Sequence, residues 1–322
     1  MRRHLLYRPR DDAPVTEPVL RVGTRGSALA LAQSGALGSQ LVETVGGTVD
    51  LVRVKTEGDI NTGPLAAIGG TGVFVTAVRT ALLDGRVDVI VHSFKDLPTA
   101  AAPGLALAAV PERENPFDAL CARDGLTLST LPAGARIGTG SPRRVAQLLL
   151  QRPDLIVLPV RGNVDTRLRM MSSGDLDAVV LAAAGLTRLG RTGEITETFG
   201  PDVMLPAPAQ GALAVECRDA DVETAWFAGA LESLDRLDTR AAAAAERSLL
   251  ATLEAGCIAP VGAYATVSSG VLRLQGAVIA VDGSERIAGE VSGPVADAAG
   301  LGKELAAELL SRGAMVLLGA AR

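Results

Sequence analysis

The sequence predicts an α/β fold used twice, followed by a smaller α+β unit at the C-terminal end. Two internal repeats and one change of pattern carry that prediction. The first repeat pairs VLRVGTRGSALALAQ (19–33) with GARIGTGSPRRVAQL (134–148). Each runs from a short apolar strand through a Gly-Thr turn to a serine in N-cap position and an amphipathic helix. The second repeat pairs GRVDVIVHSFKDL (85–97) with GDLDAVVLAAAGL (174–186), each a Gly-led turn, an Asp-containing strand and a closing leucine. Strands that alternate with helices imply parallel sheets.

The pattern changes near the end. DTRAAAAAERSLLATLEA (238–255) has strong helix propensity. Segments 263–269, 271–280 and 285–293 then read as strands around glycine turns, before a last helix over 295–312. Residues 1–18 read as a flexible extension, 19–111 with 211–233 as the first α/β domain, 112–210 as the second and 234–322 as the third. PAPAQGALAVECR (206–218) has the proline and glycine density of a crossover, and its AVEC part is expected to return to the first domain as a strand.

With 322 residues, 48% of them hydrophobic, the chain can bury several cores. Its formal net charge is −5, yet the arginines gather in glycine-containing segments, which leaves room for a local anion site. Aromatics are 2% of the chain and no basic tract dominates, so nucleic-acid binding is not expected. The start, MRRHLLYRPRDDAPVTEP, lacks an apolar run of signal-peptide length and no later stretch reads as a membrane span, which points to the cytoplasm. Cys121, Cys217 and Cys257 lie far apart without a CxxC pair. That spacing argues against a disulfide framework and a zinc site, and no metal is expected.

The arginines sit where a helix disfavours them. Ser141 and Pro142 take the N-cap and first helical positions, which puts Arg143 and Arg144 in the first turn. Cations there oppose the helix dipole at roughly 0.3–1 kcal/mol each. A bound anion would reverse that penalty; a solvated surface pair is the plain alternative. Arg25 lies in the matching turn of the first repeat, and Arg161, Arg167 and Arg188 follow other strand ends. Ligands of open α/β sheets bind beyond those ends. The pattern therefore predicts an interdomain cleft for a ligand carrying several carboxylates or phosphates.

Within HSFKDLP (92–98), the repeat sets His92, Ser93, Lys95 and Asp96 against Leu181, Ala182, Ala184 and Gly185. The first copy carries polar chemistry where the second provides room. Asp96 reads as a carboxylate that stabilises a developing cation or handles a proton, with a turn aspartate ahead of Pro98 as the bland reading. Lys95 reads as an anion contact rather than a Schiff-base lysine, because no apolar pocket to depress its pKa is evident. His92 reads as a hydrogen-bonded core histidine. GGTGVF lacks the P-loop lysine and the GxGxxG spacing, so neither ATP nor NAD is expected.

From Val19 onward the chain resembles the porphobilinogen deaminase (hydroxymethylbilane synthase) family. The resemblance rests on GTRGSALALAQ, VHSFKDLP, ERENPFDA, GTGSPRR, RPDL, RGNVDTRL, LAAAGLTRLG, PAQGALAVECR and EAGCIAPVGAYA, in that order. It implies two domains like type II periplasmic binding proteins, joined by two crossovers, plus a smaller third domain. It also implies an enzyme that condenses four porphobilinogens head to tail, releasing ammonia each time, into hydroxymethylbilane. The growing chain would extend from a dipyrromethane cofactor held through a thioether to Cys257.

By the same resemblance Asp96 is the catalytic carboxylate. It would hold pyrrole N–H groups while loss of ammonia gives an azafulvene cation, which the next pyrrole's α-carbon attacks. Lys95, Ser141, Arg143, Arg144, Arg167 and Arg188 match positions that bind the acetate and propionate groups of the cofactor. Arg25, Ser27, Ser93 and Arg161 match substrate contacts. A cytoplasmic monomer that passes its product to uroporphyrinogen-III synthase is implied. The chain departs from the family pattern at Ala67 and Thr71, where many members carry lysines, and at Gly140 and Pro142 in GTGSPRR.

Two rivals make different demands. A two-domain protein that closes on an anion without chemistry would need neither the third domain nor Cys257. A thiol enzyme using Cys257 as an ordinary nucleophile would need a base, and no histidine is near it in sequence. Cys121 and Cys217, in apolar strand-like stretches, read as small inert core residues.

Overall fold

The computed structural model describes residues 17–55, 72–255 and 259–319. The expectations placed on residues 1–16, on Ala67 and Thr71, and on Cys257 lie outside the described residues.

The first unit contains β1 (Val19–Thr24), helix α1 (Ala28–Val45), β2 (Thr48–Arg53), α2 (Gly72–Leu83), β3 (Val89–Ser93) and β4 (Leu105–Ala109). Ser27 caps α1 as its position predicts, its Oγ accepting from the Ala30 N–H at 3.2 Å. The second unit contains β5 (Asp118–Ala122), β6 (Arg136–Gly138), α3 (Pro142–Gln151), β7 (Ile156–Leu158), α4 (Val164–Ser172), β8 (Ala178–Ala182), α5 (Ala183–Arg188) and β9 (Glu197–Thr198). β10 (Leu213–Arg218) then leaves the second unit and returns to the first sheet, antiparallel to both β3 and β4.

The sheets have matching strand orders, β2-β1-β3-β10-β4 and β7-β6-β8-β5-β9. In each, the first three strands are parallel and the fourth is antiparallel. The fourth strand closely follows a crossover from the other unit, so residues 110–117 and 199–212 form two links between the units.

The repeat holds residue for residue. Val22 opposite Val89 and Gly23 opposite Ile90 recur as Ile137 opposite Ala178 and Gly138 opposite Val179. This register sets His92, Ser93, Lys95 and Asp96 against Leu181, Ala182, Ala184 and Gly185, as the sequence repeat does. It also gives the strand aspartates a structural task. Asp88 accepts the Arg21 backbone N–H at 2.9 Å, and Asp177 accepts that of Arg136 at 2.8 Å. Both arginines also donate to the carbonyl of the turn glycine, Gly85 or Gly174, at 2.9 Å.

After α6 (Ala228–Leu234), which packs on the first unit, the third unit begins with α7 (Leu237–Thr252). β11 (Val261–Ser268), β12 (Val271–Ile279) and β13 (Arg286–Pro294) form an antiparallel sheet in that order. α7 and α8 (Ala298–Ser311) cover it, Leu249, Leu305 and Leu309 of the helices sharing one core with Leu274 of β12, all fully buried. Gly276 permits the close approach: a Cβ there would come 2.7 Å from Leu249 Cδ2. A further short helix, α9 (Ala314–Gly319), was not expected from the sequence; it tucks Ala314, Leu317 and Leu318 into the same core.

Candidate active site

β3 ends at Ser93, and a single 3-10 turn, Phe94–Asp96, carries the chain away from the carboxyl end of the sheet. Phe94 and Leu97 are both buried and flank Lys95 and Asp96. The Phe94 N–H donates to the Ala212 carbonyl at 3.0 Å, which ties the turn to the second crossover. Burial on either side thus fixes where Asp96 stands.

Asp96 lines two cavities. The smaller, about 110 Å³, lies within the first unit, with Arg25, Ser27, Gln33, His92 and Ser93 in its wall. The larger, about 430 Å³, lies between the units, with Lys95, Ser141, Arg143, Arg144, Arg161 and Arg167 around it. Ala259 and Val261 bring the third unit to its wall, two and four positions after Cys257 in the sequence. Arg25 follows β1, Ser141 to Arg144 follow β6, and Arg161 and Arg167 follow β7, so the carboxyl ends of the strands converge here.

The arginine pair has an anion of its own. Arg143 Nη1 donates to Asp118 Oδ2 at 2.7 Å and to the Leu205 carbonyl at 2.7 Å. Arg144 Nε donates to Asp118 Oδ1 at 2.9 Å, and its Nη1 to the Val180 carbonyl at 2.9 Å. Both guanidiniums are buried, Arg143 at 3% and Arg144 at 6% exposure, which excludes the solvated surface pair. Burial alone would raise the Asp118 pKa, but the two arginines, helped by Gln210, hold it well below the usual carboxylate range.

Gln210 extends the connection. Its Nε2 donates to Asp118 Oδ1 at 2.9 Å and to the Pro116 carbonyl at 2.8 Å. Its Oε1 accepts from Lys95 Nζ at 3.1 Å. Lys95 is half-buried, and the loss of solvent around its ammonium lowers its pKa to about 8, with Asp96 pulling up and Arg144 pushing down. The expectation that nothing would depress this lysine is therefore corrected: the groups around it come from elements distant in sequence, which the polar text of HSFKDLP does not reveal. Burial, then the charges of Arg144 and Arg161, lower Arg167 to about 10.

The remaining predicted residues fall in distinct places. Ser93 Oγ donates to Gln33 Oε1 at 3.2 Å inside the smaller cavity. Ser141 occupies the N-cap position of α3, but its hydroxyl makes no capping bond, so that part of the expectation is corrected. Arg188 is outside both cavity walls; its Nη2 donates to the Gly211 carbonyl on the second crossover at 2.7 Å. His92 Nε2 meets Glu216 Oε2 at 3.1 Å, and Arg79 grips the same carboxylate. Burial works against that carboxylate's charge, yet His92 and Arg79 bring its pKa down to about 2. Cys121 and Cys217 are fully buried, and burial pushes their thiols up to about 12 and about 11, so neither is a nucleophile at neutral pH.

Sequence reading passed over Asp118, Gln210 and Gln33 as site residues. For Asp118 a signal exists: it is a lone acid heading the apolar strand DALCA, and a fully buried acid needs cationic partners. Gln210 and Gln33 leave no such mark.

Residues 20–225 match the family described as "Porphobilinogen deaminase, dipyromethane cofactor binding domain", and residues 241–311 match "Porphobilinogen deaminase, C-terminal domain". A porphobilinogen deaminase of Thermobifida fusca is 53% identical over 305 residues, which is 91% of this chain and 94% of that protein. The chain belongs to the porphobilinogen deaminase family. Porphobilinogen deaminase 1 of Streptomyces coelicolor is 52% identical, over 95% of this chain and 99% of its own length.

Among solved structures, a periplasmic substrate-binding protein of an ABC transporter from Coxiella burnetii aligns at 16% identity and a TM-score of 0.43. The alignment covers 67% of this chain and 91% of that one. The description of this chain's fold rests instead on its own strand orders and register. Among the described residues no helix is long and apolar enough to cross a membrane.

The donor set suits the family's cofactor. Around the larger cavity Lys95, Arg143, Arg144, Arg161 and Arg167 outnumber the carboxylates of Asp96 and Asp118, among the described residues. That surplus favours a ligand with several carboxylates, and the volume falls in the roughly 300–1,000 Å³ range of small-molecule sites.

Proposed function

We propose that this chain joins four porphobilinogen molecules head to tail into hydroxymethylbilane, releasing ammonia at each step, with a dipyrromethane primer attached through a thioether to Cys257. The observation that carries this reading is the position of Asp96 in the walls of both cavities. One carboxylate can thereby serve an incoming monomer on one side and a held chain on the other.

Lys95, Ser141, Arg143, Arg144 and Arg167 would hold the acetate and propionate groups of the cofactor, with Arg188 bracing the crossover beside them. When bound, the dipyrromethane supplies the pyrrole α-carbon at which the chain is extended. Arg25, Ser27 and Ser93 would receive the monomer. Arg161, matched to substrate binding by the resemblance, lines the larger cavity and would meet the monomer once it has joined the chain.

Asp96 accepts hydrogen bonds from pyrrole N–H groups and faces the positive charge that develops as ammonia departs. A fixed carboxylate beside a charge that forms only during reaction stabilises the transition state more than the ground state. Lys95, protonated at neutral pH with a pKa near 8, keeps a cation beside Asp96 for a substrate carboxylate.

We take 19–111 with 211–233, 112–210 and 234–322 as the three domains, a boundary set that the return of β10 supports. A cytoplasmic monomer that passes its product to uroporphyrinogen-III synthase completes the reading. Its test is intact-mass measurement of the purified chain and of Cys257→Ser, with turnover of porphobilinogen by Asp96→Asn. The wild type carries the extra mass of two linked pyrroles, Cys257→Ser lacks it, and Asp96→Asn loses roughly 100- to 1,000-fold in kcat with its fold intact. An unmodified chain that is active, or an Asp96→Asn enzyme at the wild-type rate, refutes the assignment.

A further inference from the structure

We infer that Arg247, on the third unit, is a positioning residue for this reaction, holding from behind the turn that carries Lys95 and Asp96. Its Nη1 donates to the carbonyls of Phe94 at 3.1 Å and Leu97 at 2.7 Å, and its Nη2 to that of Pro98 at 2.6 Å. The guanidinium also lies over the Phe94 ring, 4.5 Å from its centroid. The three carbonyls bracket Lys95 and Asp96 in the chain, so one side chain fixes the backbone on both sides of the reacting carboxylate. A planar fork can satisfy three acceptors together; an ammonium on a flexible stem cannot reproduce that geometry.

The surroundings make this grip matter. Behind the turn is a cavity of about 370 Å³, walled by Phe94, Leu97 and Pro98 on one side and by Ala244, Arg247 and Ser248 of α7 on the other. The back of the turn is therefore not packed solid, and Arg247 spans the gap that side chains leave. α7 is also the helix that leads, ten positions after Arg247, to Cys257. The segment that would carry the cofactor thus begins on the element that sets the catalytic turn.

This inference rests on Asp96 being the reacting carboxylate, so Asp96→Asn is measured beside the new variants. In the full-length holoenzyme, Arg247→Met should lower kcat by roughly 10- to 100-fold, because a displacement of about 1 Å costs that much, while KM stays within about twofold. Intact mass should show the cofactor still attached. Arg247→Lys should fall between Arg247→Met and wild type in kcat. If Arg247→Met fails to fold, Arg247→Lys decides by the same split.

A variant kcat within about twofold of wild type overturns the inference, as does a lowered kcat accompanied by lost cofactor mass or a raised KM. Those last results would mark a general structural role. If Asp96→Asn is inert and Arg247→Met is normal, only the role of Arg247 falls. If Asp96→Asn turns over normally, the reading of the site falls first.

Discussion

Arg143 and Arg144 stand where the dipole of α3 opposes them, and the charge that answers them comes from Asp118, the first residue of β5. Asp118 has a folded pKa below the ordinary carboxylate value of about 3.9, so between the two the unfolded chain holds a proton that the native chain does not. Its stabilisation is complete above the unfolded value and is lost as pH falls through the folded one. Asp118→Asn leaves two buried guanidiniums without a counter-charge, and breaking a buried pair in this way costs about 3–5 kcal/mol. Urea denaturation at pH 7 should show that loss. Below pH of about 4 the gap should narrow, since the unfolded wild-type chain then takes up a proton that native Asp118, held ionised by the two arginines, does not. Equal stabilities at pH 7, or a gap that ignores pH, would show that Asp118 does not compensate the pair.

At the next scale, the two crossovers lie against each other and meet at Gly211. Arg113 Nε donates to the Gln210 carbonyl at 2.9 Å, and the Glu114 N–H to that of Gly211 at 3.3 Å. Gly211 has φ +88°, and a Cβ there would strike the Glu114 carbonyl oxygen and lie 3.1 Å from Pro116 Cα. Backbone atoms cannot swing aside as a side-chain tip can. Gly211→Ala should therefore cost about 2–4 kcal/mol in unfolding free energy. Gly200→Ala, where a Cβ meets nothing within 4 Å, should stay within about 0.5 kcal/mol of wild type. Elements of this kind divide what the sequence tells from what it hides. Strand, turn and helix repeat locally, so their order and the correspondence of Gly23 with Gly138 are readable in the text. Asp118 reaching Arg143, Gln210 reaching Lys95 and Gly211 pressing on Glu114 join residues far apart in the chain, and such pairs leave no period to read. The desolvation of Lys95 is hidden for that reason, since the groups around it come from other segments.

Across the whole molecule, one buried acid ties all three units. Glu246 on α7 is fully buried and accepts both Arg113 Nη1 at 2.7 Å and Nη2 at 3.0 Å from the first crossover. It also accepts the N–H of Ala209, on the second crossover, at 2.6 Å, and that of Ala265, on β11, at 2.7 Å. Every partner is a donor, so both oxygens are needed as acceptors. Glu246→Gln keeps the shape but turns one acceptor into an NH₂ group facing donors, and it leaves Arg113 without its counter-charge. The loss should be about 3–5 kcal/mol, the range for breaking a buried ion pair. Because the third unit has its own core around Leu249, Leu274 and Leu305, it has the means to stay folded when this tie is broken. Calorimetry of the intact chain should therefore show the wild type melting as one transition and Glu246→Gln as two, the first at a lower temperature. If Asp96 acts as proposed, turnover should fall as well, because Arg247 on the same helix donates to the carbonyls of Phe94, Leu97 and Pro98 around it. A single transition at the wild-type temperature would mean that the units are joined by their apolar contacts and that Glu246 is incidental to their coupling.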